Sequence, residues 1–199
     1  MTAHAAAAGQ AAPSHADAAA SRGRVLLGVR LAILSEIMLF GGLFAAYFVI
    51  RADTGGWPPP GQERPELIIP GLNTLLLVSS SFTMQWAVRA IDRGDRSTML
   101  RFLAVTIALG TVFIGIQAYE FATNGFGLSD GVFGSTFYTL TGFHGAHVLA
   151  GLALLTIVAN RGRRGLISGS RHTEVEGVSY YWHFVDVVWV FLFSTVYVL

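Results

Sequence analysis

His183 and Asp186 stand three positions apart inside YYWHFVDVVWVFLFSTVYVL, the apolar run that ends the sequence. At helical spacing the two share one face, about one turn apart, with Trp182 and Trp189 beside them. An ionisable side chain in hydrocarbon costs roughly 2.5–3.5 kcal/mol on insertion scales, so such residues face protein or a cavity and commonly mark a function. The plainer alternative is an internal hydrogen-bonded pair that fixes helix packing. Similar residues interrupt the other apolar runs: Glu36 in the first, Gln117 and Glu120 late in the third, and His144 and His147 one turn apart in the fourth.

The spacing of these residues limits the metal chemistry open to them. A di-iron centre wants Glu-x-x-His pairs on helices, and none is present. A diheme centre wants histidines at matching depth on facing helices, whereas His144 and His147 share one helix. A single zinc or copper site on His144, His147 and a third ligand stays open as a minor alternative. A hydrogen-bonded pair in a helix interface is the plainer reading of these two. With no cysteine, disulfides, thiolate sites and cysteine nucleophiles are excluded for the chain.

The elements that must position these residues follow from composition. The 199 residues are 53% hydrophobic and only 13% charged, about half the charge of a soluble domain, which indicates an integral membrane protein. Five apolar runs, about 25–50, 71–91, 98–122, 135–159 and 178–199, are long enough to cross a ~30 Å hydrocarbon core at ~1.5 Å per residue. No proline interrupts them: Pro13 lies near the N-terminus, Pro58, Pro59, Pro60 and Pro65 fall in one connection, and Pro70 stands at the threshold of the second run. The expected organisation is a disordered tail over residues 1–21, with His4 and His15 solvated, and a single all-α membrane domain of five transmembrane helices over 22–199.

All thirteen basic residues are arginine, and their distribution sets the sides. With the N-terminus cytoplasmic, eleven fall inside (Arg22, Arg24, Arg30, Arg89, Arg93, Arg96, Arg101, Arg161, Arg163, Arg164 and Arg171) and two, Arg51 and Arg64, outside. The C-terminus then ends outside. Counted along the spans, Glu36 and His147 fall near the midplane, His183 and Asp186 in the inner half, and Glu120 close to the outer surface. Glu36 is therefore expected to bond a polar group on another span, His147 before others. Hydroxyls at Ser79, Ser80, Ser81 and Thr83 can bond the preceding turn or cross to a neighbouring helix. The small pairs Gly41/Ala45, Gly142/Ala146 and Ala146/Ala150 are candidates for close helix contact.

Several of these motifs together carry a family resemblance. SDGVFGSTF at Ser129 to Phe137, TGFHGAHV at Thr141 to Val148, YYWHFVDVVW at Tyr180 to Trp189, SE at Ser35 and Glu36, QAYE at Gln117 to Glu120, and His172-x-x-x-Glu176 occur in order. From about Val25 to Leu199 the chain resembles subunit III of the haem-copper terminal oxidases, and within them the cytochrome c oxidases. It looks like the short form that lacks the first two of seven spans.

The resemblance implies a subunit without redox centres, with no catalytic, metal or cofactor residues of its own. Haem and copper are expected on partner subunits I and II, and bound phospholipid on this one. Subunit III packs directly beside subunit I, forms a lipid-filled cleft, and supports proton uptake and sustained turnover in the plasma membrane, with no nucleic-acid partner. The positions matching the family motifs are Glu36, Gln117, Glu120, His144, His147, His172, Glu176, His183 and Asp186. Subunit III of a quinol oxidase is the neighbouring alternative, told apart by whether a subunit II with a copper-binding cysteine pair is encoded beside it. A proton-coupled transporter is the alternative from another class. Against it, five spans cannot form two equal inverted repeats.

Overall fold

The computed structural model describes residues 15–59, 66–167 and 172–199. Among them the fold is all α, with five helices: α1 (His15–Asp53), α2 (Ile68–Asp92), α3 (Arg96–Thr123), α4 (Gly131–Arg163) and α5 (Thr173–Phe193). A π-helical turn, Ser194–Val198, continues α5 to the end of the chain. His4, Pro13, Pro60, Arg64, Pro65 and Arg171 lie outside the described residues.

α1, α3, α4 and α5 with its π turn are each long and apolar enough to cross a membrane. α2 has the length, but Asn73, Thr74, Ser79, Ser80, Ser81, Thr83 and Gln85 dilute its apolar character. The distribution of side chains is that of a protein in lipid. Leu31, Met38, Val49, Ile68 and Val187 are exposed, while Asn73, Ser80, Thr106, Gln117, Thr141, His144 and Asp186 are buried. This is a multi-pass membrane protein.

α2, α3, α4 and α5 close a ring in which each helix packs on the next and α5 returns to α2. α1 stands outside the ring, against α5 and, more lightly, α4. The centre of the ring is Trp182, fully buried on α5. A Cβ at Gly110 of α3 or Gly151 of α4 would come within 2.7 Å or 2.9 Å of its ring, so neither position has room for one. Its indole N–H donates to Ser80 Oγ of α2 at 2.9 Å.

Local chemistry sets the helix ends. Gly94, at φ +78°, makes the left-handed turn after α2, and Asp95 then caps α3 by accepting from the Thr98 N–H at 2.9 Å. The side-chain and backbone hydrogen bonds from Thr98 hold the Asp95 carboxyl below its ordinary pKa. Gly165, at φ +77°, ends α4 in the same manner.

Two expectations are corrected. The first helix begins at His15, inside the stretch read as a disordered tail, because Ala-rich sequence has the highest helix propensity and continues the apolar helix without a break. The three small-residue pairs do not mark contacts within this chain: Ala45, Ala146 and Ala150 are exposed, and a Cβ at Gly41 or Gly142 would meet nothing within 4 Å. Close approach occurs instead at isolated glycines that receive an indole.

Candidate functional site

The ionisable residues of the membrane segments form two clusters on opposite sides of α5. The first lies in the seam between α5 and α2. Ser81 of α2 donates to Asp186 Oδ2 and lies 3.0 Å from His183 Nδ1, so it joins two residues of α5 that share a face. With the hydroxyl hydrogen committed to Asp186, a serine lone pair is left to accept from His183 Nδ1–H. Asp186 is 4% exposed, and its other oxygen, Oδ1, has no partner among the described residues.

This seam is a ladder of α2 hydroxyls. Besides Ser81, Ser80 accepts from Trp182 Nε1 at 2.9 Å and Thr74 accepts from Trp189 Nε1 at 2.9 Å. Both hydroxyls also donate to their own helix, Ser80 to the Leu77 carbonyl at 2.6 Å and Thr74 to the Pro70 carbonyl at 2.8 Å. Serine, histidine and aspartate here do not form a hydrolytic triad, which needs the imidazole between serine and carboxylate. Here the serine is in the middle.

The second cluster joins α1 to α4. Glu36 Oε2 lies 2.9 Å from His147 Nε2, the pairing expected from their common depth. His147 Nδ1 lies 2.6 Å from the Phe143 carbonyl, which can only accept, so the N–H at Nδ1 is used there. A hydrogen bond at Nε2 then needs one further hydrogen, carried by the imidazole or by the carboxyl. Tyr181 of α5 donates to the His147 carbonyl at 3.2 Å, and Phe40 packs its edge on the imidazole at 5.0 Å. The Glu36 side chain is 33% exposed and that of His147 15%.

The remaining candidates are separate from these clusters. His144 is fully buried between Phe113 and Trp189, at ring distances of 5.9 Å and 4.8 Å, and neither ring nitrogen has a partner among the described residues. The reading of His144 and His147 as a bonded pair is thereby corrected: one turn apart, they point into different interfaces. Gln117 Nε2 donates to the Thr141 carbonyl at 3.2 Å, tying α3 to α4. Glu120 is buried beside Tyr197 near the end of α3. His172 Nε2 lies 3.0 Å from Asp92 Oδ1, linking the start of α5 to the end of α2. Glu176 accepts from Arg22 at 2.8 Å. Among the described residues no three of His, Asp and Glu gather closely enough to hold a metal ion.

Sequence reasoning missed two contributors outright, Tyr181 as the donor to His147 and Gly151 as the seat of Trp182. It grouped Ser81 with three other hydroxyls and passed over Thr74. Their signal was the face they share: Thr74, Ser81 and the buried Leu77 recur at three- and four-residue steps along α2.

Comparison with known proteins matches residues 6–199 to the family described as cytochrome c oxidase subunit III. The chain is similar to cytochrome c oxidase subunit 3 of Thermostichus vulcanus, 45% identical over 175 residues that make up 87% of each chain. It is 40% identical over 176 residues to cytochrome c oxidase subunit 3 of Sus scrofa, covering 85% of this chain and 67% of that one. A probable cytochrome c oxidase subunit 3 of Rickettsia conorii is 41% identical over 187 residues, covering 86% of this chain and 66% of the relative.

Proposed function

We propose that this chain, which belongs to the cytochrome c oxidase subunit III family, is the non-redox subunit of a proton-pumping terminal oxidase in a bacterial plasma membrane, packed beside subunit I. Haem and copper belong to subunits I and II, and this chain holds phospholipid and supports proton uptake and sustained turnover. The observation that carries the reading is the placement of α1. It is a long apolar helix outside the ring, with Leu27, Leu31, Leu34, Ile37 and Met38 exposed, and its one mid-membrane carboxyl, Glu36, is turned to His147. Such a helix offers an apolar face to lipid or a neighbouring subunit while keeping its ionisable group paired within the chain.

Five spans with the N-terminus inside fit the arginine distribution. α2 is the fifth span: it lies along α3 through a three-residue turn, and its polar side chains turn into the seam with α5. A cysteine introduced at Ser129 is expected to label from outside the cell. Labelling at Ser168 in its place would invert the topology.

The function is tested by replacing Glu36 with alanine in the assembled oxidase. The expected result is an unchanged haem spectrum with activity that decays faster during turnover. Unaltered durability would remove the proposed role, and one tightly bound metal per isolated chain by elemental analysis would refute the non-redox assignment.

A further inference from the structure

Buried polar atoms without partners are concentrated at one end of the bundle. Among the described residues, and apart from Asp186 Oδ1 in the α2 seam, Asn73 Oδ1, Glu120 Oε1, Asn124 Nδ2 and both ring nitrogens of His144 are buried and make no hydrogen bond, while Tyr197 OH is bonded to Glu120. Asn73 lies near the start of α2, Glu120 and Asn124 at the end of α3, His144 in the first half of α4, and Tyr197 at the end of the chain. Alternating helix directions bring all of these to the same end. At the opposite end the core residues are apolar: Met84, Met99, Leu103, Leu155 and Val175.

Direct contacts link the unpartnered groups. Asn73 Nδ2 donates to the Phe113 carbonyl at 3.1 Å, which leaves Oδ1 as the free half of a fixed amide. The Phe113 ring stands nearly perpendicular to both His144, at 5.9 Å, and Trp189, at 4.8 Å. Trp189 in turn lies 6.3 Å from the ring of Tyr197, beside which Glu120 sits. The groups therefore line one seam through the ring of four helices.

A buried polar atom left unpaired costs about as much as a lost hydrogen bond, and folded proteins meet that need with protein or with ordered water. Among the described residues no protein group meets it at His144 or at Asn73 Oδ1. The free atoms are complementary in the way water requires: a neutral imidazole offers one donor and one acceptor, the Asn73 amide oxygen accepts, and the Asn124 amide nitrogen donates. Internal waters occur about once per ~27 residues and bond about three polar groups each.

We propose that this end of the four-helix core is a built site for internal water, with one or more molecules held between His144 and Asn73 and others beside Glu120 Oε1 and Asn124 Nδ2. The bound water satisfies His144 from both ring nitrogens and couples α4 to α2 across the middle of the ring, where among the described residues no direct side-chain bond joins the two helices. The site is independent of the subunit's role in the oxidase, because it rests only on the partnering of groups inside this chain.

The test uses the intact oxidase complex with His144→Leu, Asn73→Leu and the double substitution, following the temperature at which this subunit is lost. If water joins the two residues, each single change lowers that temperature by a few degrees and the double change lowers it by less than the sum. If His144 sits dry and unpaired, His144→Leu raises the temperature and the two effects add, which overturns the proposal. Should a variant fail to assemble, a map of the unaltered complex that resolves water decides: density within hydrogen-bond distance of a His144 ring nitrogen supports the site, and carbon contacts alone around both nitrogens refute it.

Discussion

On one side of α5, His183 and Asp186 meet Ser81 of α2, with the aspartate buried. On the other, His147 meets Glu36 between α4 and α1, with a third of the glutamate side chain exposed. Both clusters join an imidazole to a carboxyl in a low-dielectric setting, but they differ in what holds them. The α2 seam has a mediator, two indole N–H groups bonded to neighbouring hydroxyls and a tryptophan seated on two glycines, so its polar atoms are fixed by packing. The α1 seam has a single direct bond on a helix that is otherwise mostly exposed. Identical chemistry is thus structural glue where helices surround it and a detachable clasp where only one side is covered.

The strongest way to break this contrast is to remove the packing that defines the inner seam. Trp182→Ala should destabilise the chain by about 3–5 kcal/mol, read as early thermal loss of this subunit from the complex. Gly151→Leu should act in the same direction by crowding the same indole. A loss no larger than that from any change in the α1 seam would cancel the distinction.

Next in size is Ser81→Ala, which strands His183 and Asp186 without their mediator and should cost about 1–3 kcal/mol. Ser81→Thr, which keeps the hydroxyl, should recover most of it. Equal losses in both variants would assign the effect to shape.

Glu36→Ala should cost less, about 0.6 kcal/mol and at most ~2, because membrane hydrogen bonds are individually modest. Glu36→Gln sharpens the point. The His147 Nδ1–H is committed to the Phe143 carbonyl, which leaves Nε2 free to accept from the new amide. Near-native stability in Glu36→Gln beside a loss in Glu36→Ala would establish a hydrogen bond that needs no charge. A loss of equal size in both would point to an ion pair.

The smallest effect lies outside both seams, at the exposed cap of α3. The folded-state pKa of Asp95 is depressed by its bonds from Thr98, so its contribution is present above the unfolded pKa and fades as pH falls through the folded one. A shallow loss of stability on acidification, absent in Asp95→Ala, is the expected signature, measured by thermal scans across the carboxylate range.

Much of this arrangement was legible before any coordinates. Hydrocarbon imposes a simple rule on helices, so the limits of α2, α3 and α4 fall within a few residues of their apolar runs, and depth counting alone paired Glu36 with His147. Lateral position was not legible. His144 and His147 lie one turn apart yet enter different interfaces, because a three-residue step turns a helix by most of one revolution and leaves an offset that decides the neighbour. Glu120 was placed near a surface by depth, and depth gives no sign that Tyr197 covers it. The contacts at Gly110 and Gly151 were hidden for a related reason. A glycine that receives a tryptophan from a distant span has no companion at a fixed interval in its own sequence.

The Glu36–His147 bond also fixes an order of events during synthesis. Its partners are 111 residues apart, and α1 packs chiefly on α5, which is made after α2, α3 and α4. At ~5–20 residues per second, Glu36 waits on the order of 5–20 s after it is made before His147 exists to receive it. Through that interval α1 has no docking site, and it closes on the bundle only when α5 follows. Any insertion factor that shelters an unpaired carboxyl would be needed for α1 longer than for the helices that follow it.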